Sequence, residues 1–214
     1  MKHVYVLLVV PATILIPLIA AFIKQGYRQK GLKLIFMYLV FAGLTEIAER
    51  ILGAYDINNL PLLHFYTIIE FLFIAMFFRS ALTGAVARRL LVLLMIAFTV
   101  FSLIDLLFIQ SIFEYNTYPR PIAALIIIGL CLWYFLRRSD GEDQQRWTSD
   151  PLNWMVTGLL VYFSSSLMHF AFLNIIYQKA SRDIYFLFGT IHATLVMLMY
   201  LLFTAGFLNV KNNR

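Results

Sequence analysis

The residues that could do chemistry stand inside apolar stretches, and their spacing sorts them into groups. Glu46, Glu49 and Arg50 lie at i, i+3 and i+4, so a helix would carry them on one face, with Glu46 and Arg50 able to pair. Tyr66 and Glu70 are also four apart, and Thr67 bridges the arc between His64 and Glu70. Further on come Asp105, the stripe Tyr162, Ser165, Ser166 and His169 with Asn174 beyond it, and the alignment Tyr185, Gly189 and His192. Carboxylates in such a setting bind cationic or hydroxyl groups, while histidines supply hydrogen bonds and titrate near neutral pH. The ligand-binding set read from the sequence is therefore Glu46, Glu49, Arg50, His64, Tyr66, Glu70, Asp105, His169, Asn174 and His192. A second chemistry is open to the same groups. His169 and His192 with Glu46 or Glu70 could ligate zinc, leaving the other carboxylate as a general base.

The elements that must position these groups follow from composition. The chain has 214 residues, 62% hydrophobic and only 13% charged, whereas soluble domains have about a quarter of their residues charged. Several runs approach the roughly 20 apolar residues that cross a bilayer as a helix. The expected fold is an all-α, polytopic, seven-helix bundle forming one domain over 1–214, with spans near 4–23, 34–52, 62–78, 90–109, 121–136, 152–176 and 184–208. Charged side chains at the middle of such spans cost about 2.5–3.5 kcal/mol each on insertion scales, so they persist where they work or pair. The first run follows Lys2 and is longer than a signal-peptide core, which favours a retained helix, kinked at Pro11 and Pro17. The formal charge of +6 reports orientation in such a protein and implies no nucleic acid partner. One cysteine, Cys131, rules out an intramolecular disulfide and a cysteine-based metal site.

Basic residues set the expected orientation. Lys24, Arg28, Lys30, Lys33, Arg79, Arg88, Arg89, Arg137, Arg138, Arg146, Lys211 and Arg214 fall on one side. Lys2, Arg120, Lys179 and Arg182 fall on the other, with Arg50 near a helix end. Twelve against four puts the N-terminus outside and the C-terminus in the cytoplasm, and the expected location is a cell membrane, a bacterial inner membrane. At about 1.5 Å per residue, nearly every ionisable group inside the spans then lies in the outer half. Glu46, Glu70, His169 and His192 come out about 10–12 Å deep, with His64 and Asp105 shallower. If helices two, three, six and seven are neighbours, their polar faces enclose a pocket open to the outside. Hydrogen bonding between helices is the competing explanation for Thr67, Asn174 and the serines of helix six. Tyrosines and tryptophans near the span ends read as an interfacial belt.

No lysine lies in the seventh helix, so the sequence does not resemble a retinal protein. Sugar transporters of similar length carry a Pro-Gln signature that is absent here. Seven-helix zinc amidases of the ceramidase and adiponectin-receptor type use His-x-x-x-His on the last helix, whereas His192 stands alone there, so the likeness is partial. The run Asn59-Leu60-Pro61-Leu62-Leu63-His64-Phe65-Tyr66 with Glu70 resembles small, uncharacterised bacterial seven-helix membrane proteins, a resemblance that implies no activity. Phosphate-binding glycine loops, nucleophile elbows and His-Glu-x-x-His helices are missing. The leading expectation is a receptor-like or ligand-binding membrane protein for a small molecule or lipid. It has no cofactor, and it would signal through a separate cytoplasmic protein. The alternatives are a zinc-dependent lipid hydrolase at the outer leaflet and a proton-coupled transporter, the latter short of a polar path through the inner halves.

Overall fold

The apolar runs fold into helices that continue past their hydrophobic limits. The computed structural model describes residues 4–139 and 146–211, so Lys2 and Arg214, both counted in the charge bias, lie outside the described residues. Seven helices long and apolar enough to cross a membrane stand among them: α1 (Tyr5–Ile23), α2 (Lys30–Ala54), α3 (Leu60–Ala81), α4 (Ala85–Ile109), α5 (Pro119–Ser139), α6 (Pro151–Lys179) and α7 (Arg182–Leu208). The chain is all-α, and this architecture is that of a multi-pass membrane protein. Six of the seven helices start earlier than hydropathy alone suggests, and in α2, α4, α5 and α7 the added turn carries Lys30, Arg88, Arg120 and Arg182, residue types that favour the helix.

Local signals fix several helix ends. Asn58 Oδ1 accepts from the Leu60 amide at 2.9 Å, with Pro61 in the first turn of α3. Asp150 accepts from Leu152 N at 2.8 Å and is followed by Pro151, a residue suited to the first helical position. Ser181 caps α7 through Ile184 N at 3.4 Å. Before α4 the chain turns through Gly84 at φ 115°, a conformation only glycine adopts freely. α1 is broken at Thr13–Ile14, where Pro17 cannot donate back to Thr13, and its first turns are widened, with Val10 N bonded to Tyr5 O ahead of Pro11.

α6 and α7 form the closest pair. Gly158 on α6 faces the Phe203 ring, and Gly206 on α7 faces Met155 and the Pro151 carbonyl, at distances that leave no room for a Cβ at either. α2 packs on α3, α6 on α5, and α1 on α7, while α4 lies outside against α3. Of helices two, three, six and seven, expected to be mutual neighbours, α2 packs on α3 and α6 on α7, and the two pairs touch where α2 crosses α6. α5 inserts between α3 and α6, and that placement decides the composition of the polar interior. Below it the core is aromatic and aliphatic, with Phe71, Phe77, Phe78, Phe163, Phe203 and Phe207 essentially fully buried.

Candidate functional site

A cavity of about 360 Å³ lies among α1, α2, α3, α5, α6 and α7. Its walls differ in chemistry. Val6, Leu7, Val10, Pro11 and Ile14 of α1, with Ala193, Val196 and Met199 of α7, make an apolar side. Glu46, Glu49 and Arg50 of α2, with Tyr38, Tyr66, Arg120, Tyr162, His192 and Tyr200, make a polar side. The N-terminal half of α1 rests on α7, and the cavity separates it from the C-terminal half of α2.

Five of the expected site residues therefore meet on one surface: Glu46, Glu49, Arg50, Tyr66 and His192. The helical spacing of the first three works as expected. Arg50 donates from Nε at 2.9 Å and from Nη2 at 2.6 Å to Glu46 Oε1. Both side chains keep over a third of their surface exposed, so this pair contributes little to stability. Glu49, one turn from Glu46 on the same face, forms no hydrogen bond or ion pair within the described residues, and its charged neighbours are Glu46, Arg120 and Arg50.

Glu70 sits behind that surface rather than on it. Only 2% exposed, it accepts at Oε1 from Tyr38 Oη at 2.9 Å and Tyr66 Oη at 3.0 Å, and Arg120 Nη2 lies 3.9 Å from Oε2. Arg120 in turn approaches Thr67 Oγ1 at 3.4 Å, with its guanidinium 4.6 Å from the Phe170 ring centroid and 5.5 Å from that of Tyr66. Its place follows from local sequence: Pro119, Arg120 and Pro121 open α5, and α5 is wedged between α3 and α6.

The histidines of α6 and α7 meet face to face. Their ring centroids are 4.5 Å apart with planes at 10°, and the His192 Nδ1–Ser166 Oγ hydrogen bond is 3.1 Å. Parallel stacked imidazoles point their in-plane nitrogens side by side and not at a common ion. Among the described residues no three His, Cys, Asp or Glu side chains gather as a ligand set for a metal. His169 Nδ1 is buried without a hydrogen-bond partner among the described residues.

The other three expected site residues go elsewhere. His64 donates from Nε2 to the carbonyl of Glu114 at 3.0 Å. Asn174 binds the Tyr115 amide at 3.1 Å, the Tyr115 carbonyl at 3.0 Å and Thr117 Oγ1 at 3.2 Å. Both residues seat the connection between α4 and α5, which is also closed on itself by Gln110 and Thr117. Tyr115 in that connection lies 3.4 Å from the Tyr185 hydroxyl, and burial, reinforced by that neighbour, raises its pKa. Asp105 begins the widened turn that ends α4, with Gln110 N bonded to its carbonyl at 2.9 Å. The residue is 1% exposed, and among the described residues neither carboxyl oxygen has a hydrogen-bond partner, nor do the buried Ser102 Oγ and Asn116 Oδ1.

Residues that the sequence reading passed over complete the site. Arg120 counted only as a loop charge, although a guanidinium between two prolines at a helix start was the available signal. Tyr38 and Tyr200 stand in mid-span, where a phenol must find a polar partner or a cavity. Comparisons with known protein families, with curated proteins and with solved structures find no match to this chain.

Proposed function

We propose that this chain is a ligand-binding, receptor-like membrane protein whose cavity takes a single-chain amphiphile with a cationic head. The observation that carries the proposal is the unpaired Glu49 on a cavity with one polar and one apolar wall. Glu46, Glu49 and Glu70 set against Arg50 and Arg120 leave one formal negative charge. Glu70 is held by two tyrosines beside Arg120, and Glu46 is held by Arg50, so the excess falls on Glu49. An ammonium placed there would be neutralised, with the tyrosine hydroxyls and His192 within the same wall for a hydroxyl group. The hydrocarbon would lie along α1 and α7, having entered between α1 and α2 from the bilayer.

In the proposed orientation the N-terminus is outside and the C-terminus cytoplasmic. The basic residues support this, the more so because Arg120 is turned into the bundle and leaves Lys2, Lys179 and Arg182 on the outer side. The cavity is then in the outer half, and any signal passes to a separate cytoplasmic protein. Impermeant thiol reagents should label a cysteine placed at Asn58 in intact cells. Labelling only after permeabilisation would reverse the orientation.

The binding reading is tested by offering hexadecylamine and hexadecanoic acid to purified protein and measuring retention by native mass spectrometry. Wild type should retain the amine about ten-fold better, equivalent to about 1.4 kcal/mol, and Glu49→Gln should abolish the preference. Equal retention of acid and amine, or an unchanged preference in Glu49→Gln, overturns the assignment.

A further inference from the structure

A second cavity, of about 340 Å³, lies at the other end of the bundle and is basic. Lys30 opens α2, Arg79 and Ser80 close α3, and Arg88 lies in the first turn of α4; Leu34 and Met76 complete the lining. No carboxylate lines it, and none of the three basic side chains has an ion pair or hydrogen bond within the described residues. Asp150 lines a neighbouring cavity with Lys30, but it is committed to Arg138 Nη1 at 2.8 Å and to capping α6.

The backbone builds the convergence. A Cβ on Gly31 would stand 3.2 Å from Ser80 Oγ, so glycine lets the start of α2 approach the end of α3 closely. Neither α2 nor α4 has a side-chain cap at its N-terminus. The first-turn amides of both helices therefore add partial positive charge to the three cations. The apolar lining, Leu34 and Met76, lies one turn further into the span than Lys30 and Ser80. Ordinary basic residues at a membrane surface scatter around helix ends. Here three come from three helices into one groove whose inner part is hydrocarbon.

From this geometry we infer a binding site for the phosphate of an anionic phospholipid, with the ester and upper acyl chain against Leu34 and Met76. Phosphate chemistry alone would also suit a free phosphate ester, but the apolar lining favours the lipid. Basic pockets between membrane helices recognise such head groups, and each basic residue near an anionic surface contributes about 1 kcal/mol, or about five-fold in affinity. The inference does not depend on the ligand of the first cavity.

The test uses the full chain, stripped of lipid in neutral detergent. Retention of phosphatidylglycerol and of phosphatidylcholine with the same acyl chains is measured by native mass spectrometry. Wild type should retain phosphatidylglycerol preferentially, and Lys30→Gln/Arg79→Gln/Arg88→Gln should weaken it by roughly a hundred-fold, at about five-fold per residue. A matched variant, Lys33→Gln/Arg89→Gln/Arg137→Gln, removes three exposed charges at the same end but outside the groove. It should keep most of the affinity and also shows that the lowered charge does not itself unfold the protein. Equal losses in the two triple variants, or equal retention of the two lipids by wild type, overturn the site. Glycerol 3-phosphate at millimolar concentration should fail to displace the lipid. If it displaces the lipid fully, the groove is a soluble-anion site and the lipid assignment fails.

Discussion

Replacing Glu70 with Gln should destabilise the bundle, although the substitution keeps shape and one acceptor oxygen. The two tyrosine bonds at 2.9 and 3.0 Å would change from hydrogen bonds to a charged group, worth about 1.5–3 kcal/mol each, to neutral ones worth about 0.5–1.5 kcal/mol. Arg120, 14% exposed, would lose its counter-charge. Stranding one member of a buried pair costs about 3–5 kcal/mol. The 3.9 Å separation is longer than a charge-assisted hydrogen bond, so the low end applies, near 3 kcal/mol. Arg120→Gln strands Glu70 in turn, but the two tyrosine donors remain, so its cost should be smaller. The double variant should lose less than the sum of the singles, by about 2 kcal/mol, because each single has already paid for the broken pair. Graded unfolding with dodecyl sulfate in mixed micelles, followed by the fluorescence of the three tryptophans, gives the free energies. Arg50→Gln serves as the half-exposed comparison and should cost about 1 kcal/mol or less. A Glu70→Gln loss within about 1 kcal/mol, together with strict additivity in the double variant, would refute the description of Glu70 as the anchor of this network.

Asp105→Asn should raise stability by about 1–3 kcal/mol, because it replaces a buried carboxyl without a hydrogen-bond partner among the described residues and supplies a donor one turn from Ser102; a lower unfolding midpoint would contradict that. Asn174→Ala should lose the contacts that seat the connection between α4 and α5, each worth about 1 kcal/mol. Hydrogen exchange should then rise in residues 110–118 and stay unchanged around Glu46. Gly158→Ala should cost about 1–3 kcal/mol, since the new Cβ would stand 2.9 Å from the buried Phe203 ring, and unfolding in mixed micelles would show it.

The helices were legible because each apolar run is long and the connectors are short. Their ends were not, because hydropathy stops at Lys30, Arg79 and Arg182 while the backbone ladder continues through them. The helical spacing of Glu46, Glu49 and Arg50 was a local property, so it read correctly as a shared face. Glu70 was legible as a buried carboxylate but not as a group held from within, since its partners Tyr38 and Arg120 come from α2 and α5. His64 and Asn174 bind backbone groups of the connection between α4 and α5, and the path of a loop leaves no mark in the residue types of the helices it touches. Asn174 and Thr67, weighed as helix-joining polar residues, are found in hydrogen bonds to other elements, Asn174 to the loop and Thr67 to Arg120.

Glue and cavity wall share residues in this bundle. Tyr38, Tyr66 and Arg120 line the cavity, and all three are placed by Glu70 from behind. On the proposed function, Glu70 would act on a bound molecule only as a positioning residue. Its removal should alter the polar wall even where the fold survives, by freeing two tyrosine rings and a guanidinium to turn. Glu49 differs because among the described residues it has no hydrogen-bonded or ion-paired partner to release. Glu49→Gln should thus leave the unfolding free energy within about 0.5 kcal/mol of wild type, as for substitutions away from paired groups, while changing which head group is retained. A large stability loss in Glu49→Gln would instead make Glu49 part of the glue, and the excess charge on the cavity would have to be reassigned to Glu46.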